Sequence, residues 1–298
     1  MRTSICIVLV FFQVHLFGQN LAETEAFMNE QLTLVGEAET KDSRDSANLA
    51  FKNTLLATFD SVGVFEYPFD GVPRLASLVS PDKKFRLFNW HRPMIDGTHR
   101  YEAIVLFPDG QGYVELSDTS ELSAAQNVGE ILPSGWYGAL YYDIVPVSKK
   151  KQEYYVLLGW DATSDITSRK VIDALYFSKN GNPVFGKPVF ETEDGYLHRR
   201  IFEYASDVSM TLKYVKPMDA IVFDRLEPLQ PGLKGQYQFY GPGTGLSGYT
   251  VSKDGNLDLT ESMDMSRPKE VESEARFNFP DRPDYNRIRG NKNPLTGE

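Results

Sequence analysis

From Gly63 onward the chain is cut by glycine or proline roughly every ten residues, and the stretches between are short, aromatic and β-branched. The runs are Phe85–Trp90, Tyr101–Phe107, Trp136–Val147, Tyr154–Trp160, Val171–Phe177, Arg200–Tyr204, Met210–Tyr214, Ala220–Phe223, Gln236–Tyr240 and Gly248–Ser252. Runs of this length bounded by turn residues read as strands. No long helical pattern separates them, so a parallel βαβ fold is disfavoured and an antiparallel all-β domain is expected over 63–265. Asn180-Gly181 and Asp254-Gly255 each follow Ser-Lys and precede Asn, and Asp109-Gly110 is a third such pair. Dipeptides of this kind tolerate the positive φ of tight hairpins.

Two of the runs repeat. Phe85-Arg-Leu-Phe-Asn-Trp90 matches Tyr155-Val-Leu-Leu-Gly-Trp160, and each is followed by a polar loop, an arginine and an apolar strand that turns at Asp109-Gly110 or Asn180-Gly181. Units of several strands at so long a period predict repeated hairpins or meanders in a propeller-like arrangement, with a large β-sandwich or an irregular barrel as the alternative. Segments 85–110 and 155–181 should then be equivalent hairpins.

The ends differ from the middle. Arg2 precedes the apolar run Ile5–Phe12, and Gly18-Gln19 follows, the pattern of a signal peptide over 1–19. That run is shorter than the roughly 20 apolar residues a membrane span needs, so no transmembrane segment is expected. Between residues 20 and 62, Phe51, Leu55, Leu56 and Phe59 recur at helical spacing behind Asp42, Ser43 and Asp45, which predicts a helix over 44–59 and a second over 22–36. Residues 266–298 contain Pro268, Pro280, Pro283 and Pro294 among alternating charges and read as an extended, disordered tail.

The middle of the chain resembles a group of uncharacterised exported proteins of Bacteroidetes-type bacteria. The likeness rests on Tyr155-Val-Leu-Leu-Gly-Trp-Asp161, Arg169-Lys-Val-Ile-Asp173, Gly186-Lys-Pro-Val-Phe190, Ile201-Phe-Glu-Tyr-Ala205, Met210-Thr-Leu-Lys-Tyr214, Ile221-Val-Phe-Asp224 and Gly235-Gln-Tyr-Gln-Phe-Tyr-Gly-Pro242. It implies export and a shared fold, and carries no activity, cofactor or catalytic residue.

Composition narrows the chemistry. A single cysteine excludes an internal disulfide framework, and a formal charge of −10 disfavours nucleic acid as a partner. Gly243-Thr-Gly245-Leu-Ser-Gly248 fits a dinucleotide fingerprint, but the residues after it read as a strand instead of the helix that would receive the phosphates, so a hairpin is expected. His91, Asp96 and His99 share one loop, yet their spacing is not that of a zinc site. Asp161-Ala-Thr-Ser-Asp165 alternates oxygen side chains but lacks the glycine and the later acidic ligand of a calcium loop, and an Asx-turn at Asp161 is the simpler reading. No metal and no cofactor is therefore expected. There is no G-x-S-x-G and no cysteine nucleophile after the leader, so catalysis is disfavoured. Repeated hairpins put equivalent loops on one side of a scaffold, which makes His91, Asp96, His99, Asp161 and Asp165, on loops 91–99 and 161–168, the candidate binding residues. The expected function is that of an exported, non-catalytic interaction or structural module in the periplasm or at the cell surface, with a protein or glycan partner. A carbohydrate-binding protein or glycan-active hydrolase on the same scaffold is the alternative.

Overall fold

The computed structural model describes residues 4–108, 110–118, 129–150, 152–193 and 195–263, with side chains from residue 21 onward. The expected tail, 266–298, and Asp109 of the first turn pair lie outside the described residues.

Two helices open the chain, α1 (Ser4–Glu37) and α2 (Lys41–Thr58). Among the described residues no helix is long and apolar enough to cross a membrane. The start of α2 is fixed by Thr40, whose hydroxyl accepts from the Ser43 backbone N–H at 3.2 Å and occupies one of the donors left open at a helix start. Its buried Ala47, Phe51 and Leu55 recur every fourth residue and form one stripe. With Met28, Leu32 and Val35 of α1, that stripe packs on Leu75, Phe88, Trp90, Ile104 and Leu106 of the first sheet.

The strands form three sheets. The first is a meander of β1 (Leu75–Val79), β2 (Arg86–Pro93), β3 (His99–Leu106) and β4 (Tyr113–Ser117). The second runs in the order β11-β7-β6-β5, from β5 (Leu140–Lys149), β6 (Gln152–Asp161), β7 (Thr167–Phe177) and β11 (Arg199–Ala205), with β8 (Pro183–Phe185) paired to β7. The third has the order β10-β9-β15-β14-β13-β12, from β9 (Phe190–Thr192), β10 (Gly195–Leu197), β12 (Leu212–Val215), β13 (Ala220–Pro228), β14 (Tyr240–Val251) and β15 (Leu257–Thr260). Among the described residues the ladders are antiparallel, apart from the parallel pairing of Leu257 with Phe190 and an isolated parallel bridge between Asp118 and Trp136. The expected mostly-β, antiparallel fold behind an N-terminal helical segment is thus what the chain adopts.

The sheets stack face to face in series. Phe85, Leu87, Tyr101, Ala103 and Val105 of the first meet Tyr141, Tyr155, Leu157, Val171 and Leu175 of the second. The other face of the second sheet, with Tyr154, Val156, Leu158, Ile172 and Ala174, meets Ile221, Phe223, Tyr249 and Leu257 of the third. Strands β6 and β7 are therefore buried on both faces over 154–158 and 171–175, and there their sequences are apolar apart from Asp173. Gly159 serves this packing: a Cβ there would come 2.7 Å from the ring of Tyr141, its cross-strand neighbour, so only hydrogen leaves room.

The repeated segments both form hairpins, β2–β3 and β6–β7, with Trp90 paired to Glu102 and Trp160 to Lys170. The matched turns are alike as well. Ser178 N–H donates to Asn182 O at 2.9 Å and Ser252 N–H to Asn256 O at 2.8 Å, with Gly181 and Gly255 at φ of 79° and 86°. Two local expectations are corrected. Within Gln236–Tyr240, expected as a strand, Tyr237–Phe239 is a 3-10 turn at the tip of the β13–β14 hairpin. The glycines 243, 245 and 248 lie inside β14 instead of at a turn, where the ladder to β13 shifts register between Asp224 and Leu226.

Candidate functional site

The β2–β3 and β6–β7 hairpins belong to different sheets, yet their loops meet. A Cβ on Gly97 would lie 3.8 Å from Asp165 Oδ2. The structure thus brings the two post-tryptophan loops onto one rim, and the five candidate residues fall into three environments.

Asp96 and Asp165 are exposed at the loop tips, beside the exposed Ile95 and Ile166. Asp96 Oδ1 accepts from the Thr98 backbone N–H at 3.0 Å and from its hydroxyl at 2.6 Å, and these bonds hold its pKa below the usual carboxylate range. The Asp165 loop is tied down from β11 by Ser206, whose hydroxyl donates to Asp165 O at 2.6 Å and whose N–H donates to Ile166 O at 3.0 Å.

Asp161 was expected on the exposed rim and is instead buried, at 4% exposure. Its Oδ2 accepts from the Tyr137 hydroxyl at 3.0 Å and the Thr163 hydroxyl at 3.1 Å, and its Oδ1 accepts from Thr163 N–H at 2.9 Å. The bond to the residue two places on is the Asx-turn the sequence suggested. Arg169, paired with Asp161 across the hairpin, brings Nη1 to 3.7 Å of Oδ2 while its Nε donates to Glu203 at 2.9 Å. The Tyr101 hydroxyl, 3.4 Å from Asp161 Oδ1, accepts from Ala162 N–H at 2.7 Å. Burial, and then the Asp161 charge, push the Tyr101 and Tyr137 phenols well above their ordinary range, so both stay protonated as donors. Asp161 is thus the base plate of the rim. Tyr101 and Tyr137 are the partners that sequence reading missed, because their contact with Asp161 spans 60 and 24 residues.

His91 and His99 form the third environment. They are diagonal neighbours on β2 and β3, on the side that carries Tyr101 toward the second sheet. Their rings lie 22° from parallel with centroids 4.8 Å apart, and His91 Nε2 is 2.7 Å from His99 Nδ1. At that distance one ring donates and the other accepts. Part of the His91 residue touches solvent, but its ring is closed in by His99, by Tyr101 at 5.3 Å and by Trp160 at 6.0 Å. Burial, with the His99 and Arg74 charges adding to it, pushes the His91 pKa down to about 3. Burial also lowers that of His99, against the opposing pull of Asp161, Asp165 and Asp96.

Elsewhere, an open groove of about 420 Å³ lies between the helices, lined by Leu21, Thr24, Asn53, Thr54, Ala57 and Ser61 among others and by no ionisable group. Compared with family models, with curated proteins and with solved structures, the chain finds no match in any of the three.

Proposed function

We propose that the chain is an exported, non-catalytic β-protein that works as an interaction module in the periplasm or at the cell surface, with the 91–99 and 161–168 rim as its binding face. The observation that carries this reading is the meeting of Gly97 and Asp165, which sets loop tips from two sheets side by side over a buried polar base. Binding faces are built in this way, from loops held by a rigid framework. The rim presents two exposed isoleucines, Ile95 and Ile166, each next in sequence to an exposed carboxylate, Asp96 and Asp165. That chemistry suits a partner offering an apolar side chain flanked by lysine or arginine. The leader pattern over 1–19 and the resemblance to exported proteins support export, and three mainly antiparallel sheets stacked face to face support a propeller-like relationship among them.

The test is cross-linking in the native envelope, comparing wild type with Ile95→Asp/Ile166→Asp. A specific adduct lost in the double variant supports the reading, whereas an adduct that survives unchanged removes the rim as the binding face. The half-buried Trp160 beside His91 favours a sugar as second reading, because indole faces stack on pyranose rings. A glycan array with Trp160→Ala as control separates the two.

A further inference from the structure

We infer that the tip of the β13–β14 hairpin is a docking surface for the chain's own segment 275–279, held there by Phe277 and Phe279. The inference stands independently of the partner reading above.

The tip is unlike the rest of the surface. Leu229, Tyr237 and Phe239 are 76%, 45% and 37% exposed, and the Leu229 N–H donates to Phe239 O at 3.0 Å, which holds the leucine beside the aromatic residues. Tyr237 and Tyr240 meet with ring centroids 5.2 Å apart. Over 228–250 the sequence has a single charge, Lys234, in a chain that is 24% charged. Single exposed apolar residues are ordinary, whereas several on one charge-poor tip mark a surface that something covers. The tip is also preformed. Leu233 N–H donates to Gln230 O, Gln236 N–H to Leu233 O and Phe239 N–H to Gln236 O, each at 3.0 Å, and the Gly235 N–H donates to the Tyr240 hydroxyl at 2.9 Å. An occupant therefore meets a platform that is already ordered.

The course of the chain names the occupant. β15 runs antiparallel to β14, and its last pair is Thr260 with Gly248. Ser247 Oγ then donates to Glu261 O at 3.0 Å, and Met263 N–H donates to Leu246 O at 2.8 Å. The chain is thus running back along β14 toward Tyr240 where the described residues stop at Met263. On that side of β14 no strand among the described residues pairs with 240–245. The strand from Leu246 to Tyr240 measures about 20 Å. The fourteen steps from Met263 to Phe277 span about 20 Å as a flexible chain, and up to about 46 Å when extended. A linker whose mean length equals the distance to be spanned gives its cargo the highest local concentration.

The segment has the matching chemistry. Arg276-Phe277-Asn278-Phe279 alternates polar and aromatic residues, and an extended strand puts both rings on one face. Glu270, Glu272 and Glu274 precede it, opposite in sign to Lys234 at the tip. Residues 266–298 are too polar to bury a core of their own, and a segment of that kind gains order by docking on a surface already built.

The experiment compares two cysteine pairs in the full chain carrying Cys6→Ser. One variant has Gln238→Cys and Asn278→Cys, which puts thiols at the tip and between the two phenylalanines while keeping both. The control has Lys253→Cys and Asn278→Cys. Lys253 is exposed in the turn at the opposite end of β14, also about 20 Å from Leu246 along the strand. In a glutathione redox buffer the tip pair should close an intramolecular disulfide at least tenfold more readily than the control pair. Adding Phe277→Ser/Phe279→Ser should abolish that difference. In the chain without added cysteines, hydrogen exchange at 229–240 should be at least tenfold slower than in the Phe277→Ser/Phe279→Ser variant. Equal closure by the two pairs, disulfide-linked dimers in place of the intramolecular bond, or exchange at 229–240 unchanged by the serine substitutions would each overturn the assignment.

Discussion

The Trp90 indole N–H donates to Asn48 Oδ1 at 2.9 Å, and this buried bond joins the second helix to the first sheet. The same Asn48 donates through Nδ2 to Glu102, the cross-strand partner of Trp90, at 2.6 Å. Phe51, one turn further along α2, meets the Trp90 ring edge-on at 5.0 Å. One asparagine thus sets how the helices sit on the sheet.

Asn48→Ala leaves the buried indole N–H without its acceptor. A buried donor left unmade costs about 1–3 kcal/mol, and the variant should lose that much stability. Urea denaturation of wild type and variant checks it. An unchanged midpoint would mean that water replaces the asparagine.

Asp161→Ala removes the acceptor for Tyr137, for the Thr163 hydroxyl and for the Thr163 N–H. The expected loss is about 2–4 kcal/mol, because a buried phenol and two half-buried donors lose their acceptor together. Asp96→Ala and Asp165→Ala, at exposed tips, should stay within about 0.5 kcal/mol. Thermal unfolding of the three single variants distinguishes a base plate from a rim. Equal effects at all three positions would contradict the environments described.

Lys170 is 7% exposed, lies over the Tyr142 ring at 4.7 Å, and has its pKa pushed down to about 8 by burial. In the unfolded chain the same amine titrates near 10.5. Between those values the unfolded state binds more protons than the folded one, so stability rises with pH through this window. The rise should reach about 2 kcal/mol between pH 8 and 10, and Lys170→Met should abolish it while raising stability at pH 7 by about 1–3 kcal/mol. Denaturant midpoints at a series of pH values decide the matter, and a slope that persists in the variant would assign it to another group.

Gly159→Ala places a methyl group against the Tyr141 ring, which lies 2.7 Å from the Cβ position. Overpacking of this kind costs about 1–3 kcal/mol. If the variant is as stable as wild type, the tyrosine ring moves without penalty.

Much of the fold was legible because its signals are local. The stripe of Phe51 and Leu55 marks α2, and Asn180-Gly181 and Asp254-Gly255 mark two hairpin turns. The aromatic runs mark the doubly buried strands β6 and β7, whereas β4 and β10 are short and mostly exposed, so pattern alone passes over them. The rim was partly legible, since repeated hairpins bring like loops together. The burial of Asp161 was not, because it depends on Tyr101 and Tyr137, which reach it from other parts of the chain. Nor did the eight-residue separation of His91 and His99 announce a contact, which depends on the register that pairs Pro93 with His99.

The serial stacking of the sheets sets the order in which the chain can mature during synthesis. Residues up to Ser117 can complete the helical pair and the first sheet, but that unit carries Leu87, Tyr101, Ala103 and Val105 bare on its far side until residues 140–177 arrive. The second sheet in turn emerges with two apolar faces and only one surface to meet, and it waits for residues 212–260 to supply the other. Each stage is adhesive until its successor arrives, so the half-made chain is the form most in need of a chaperone.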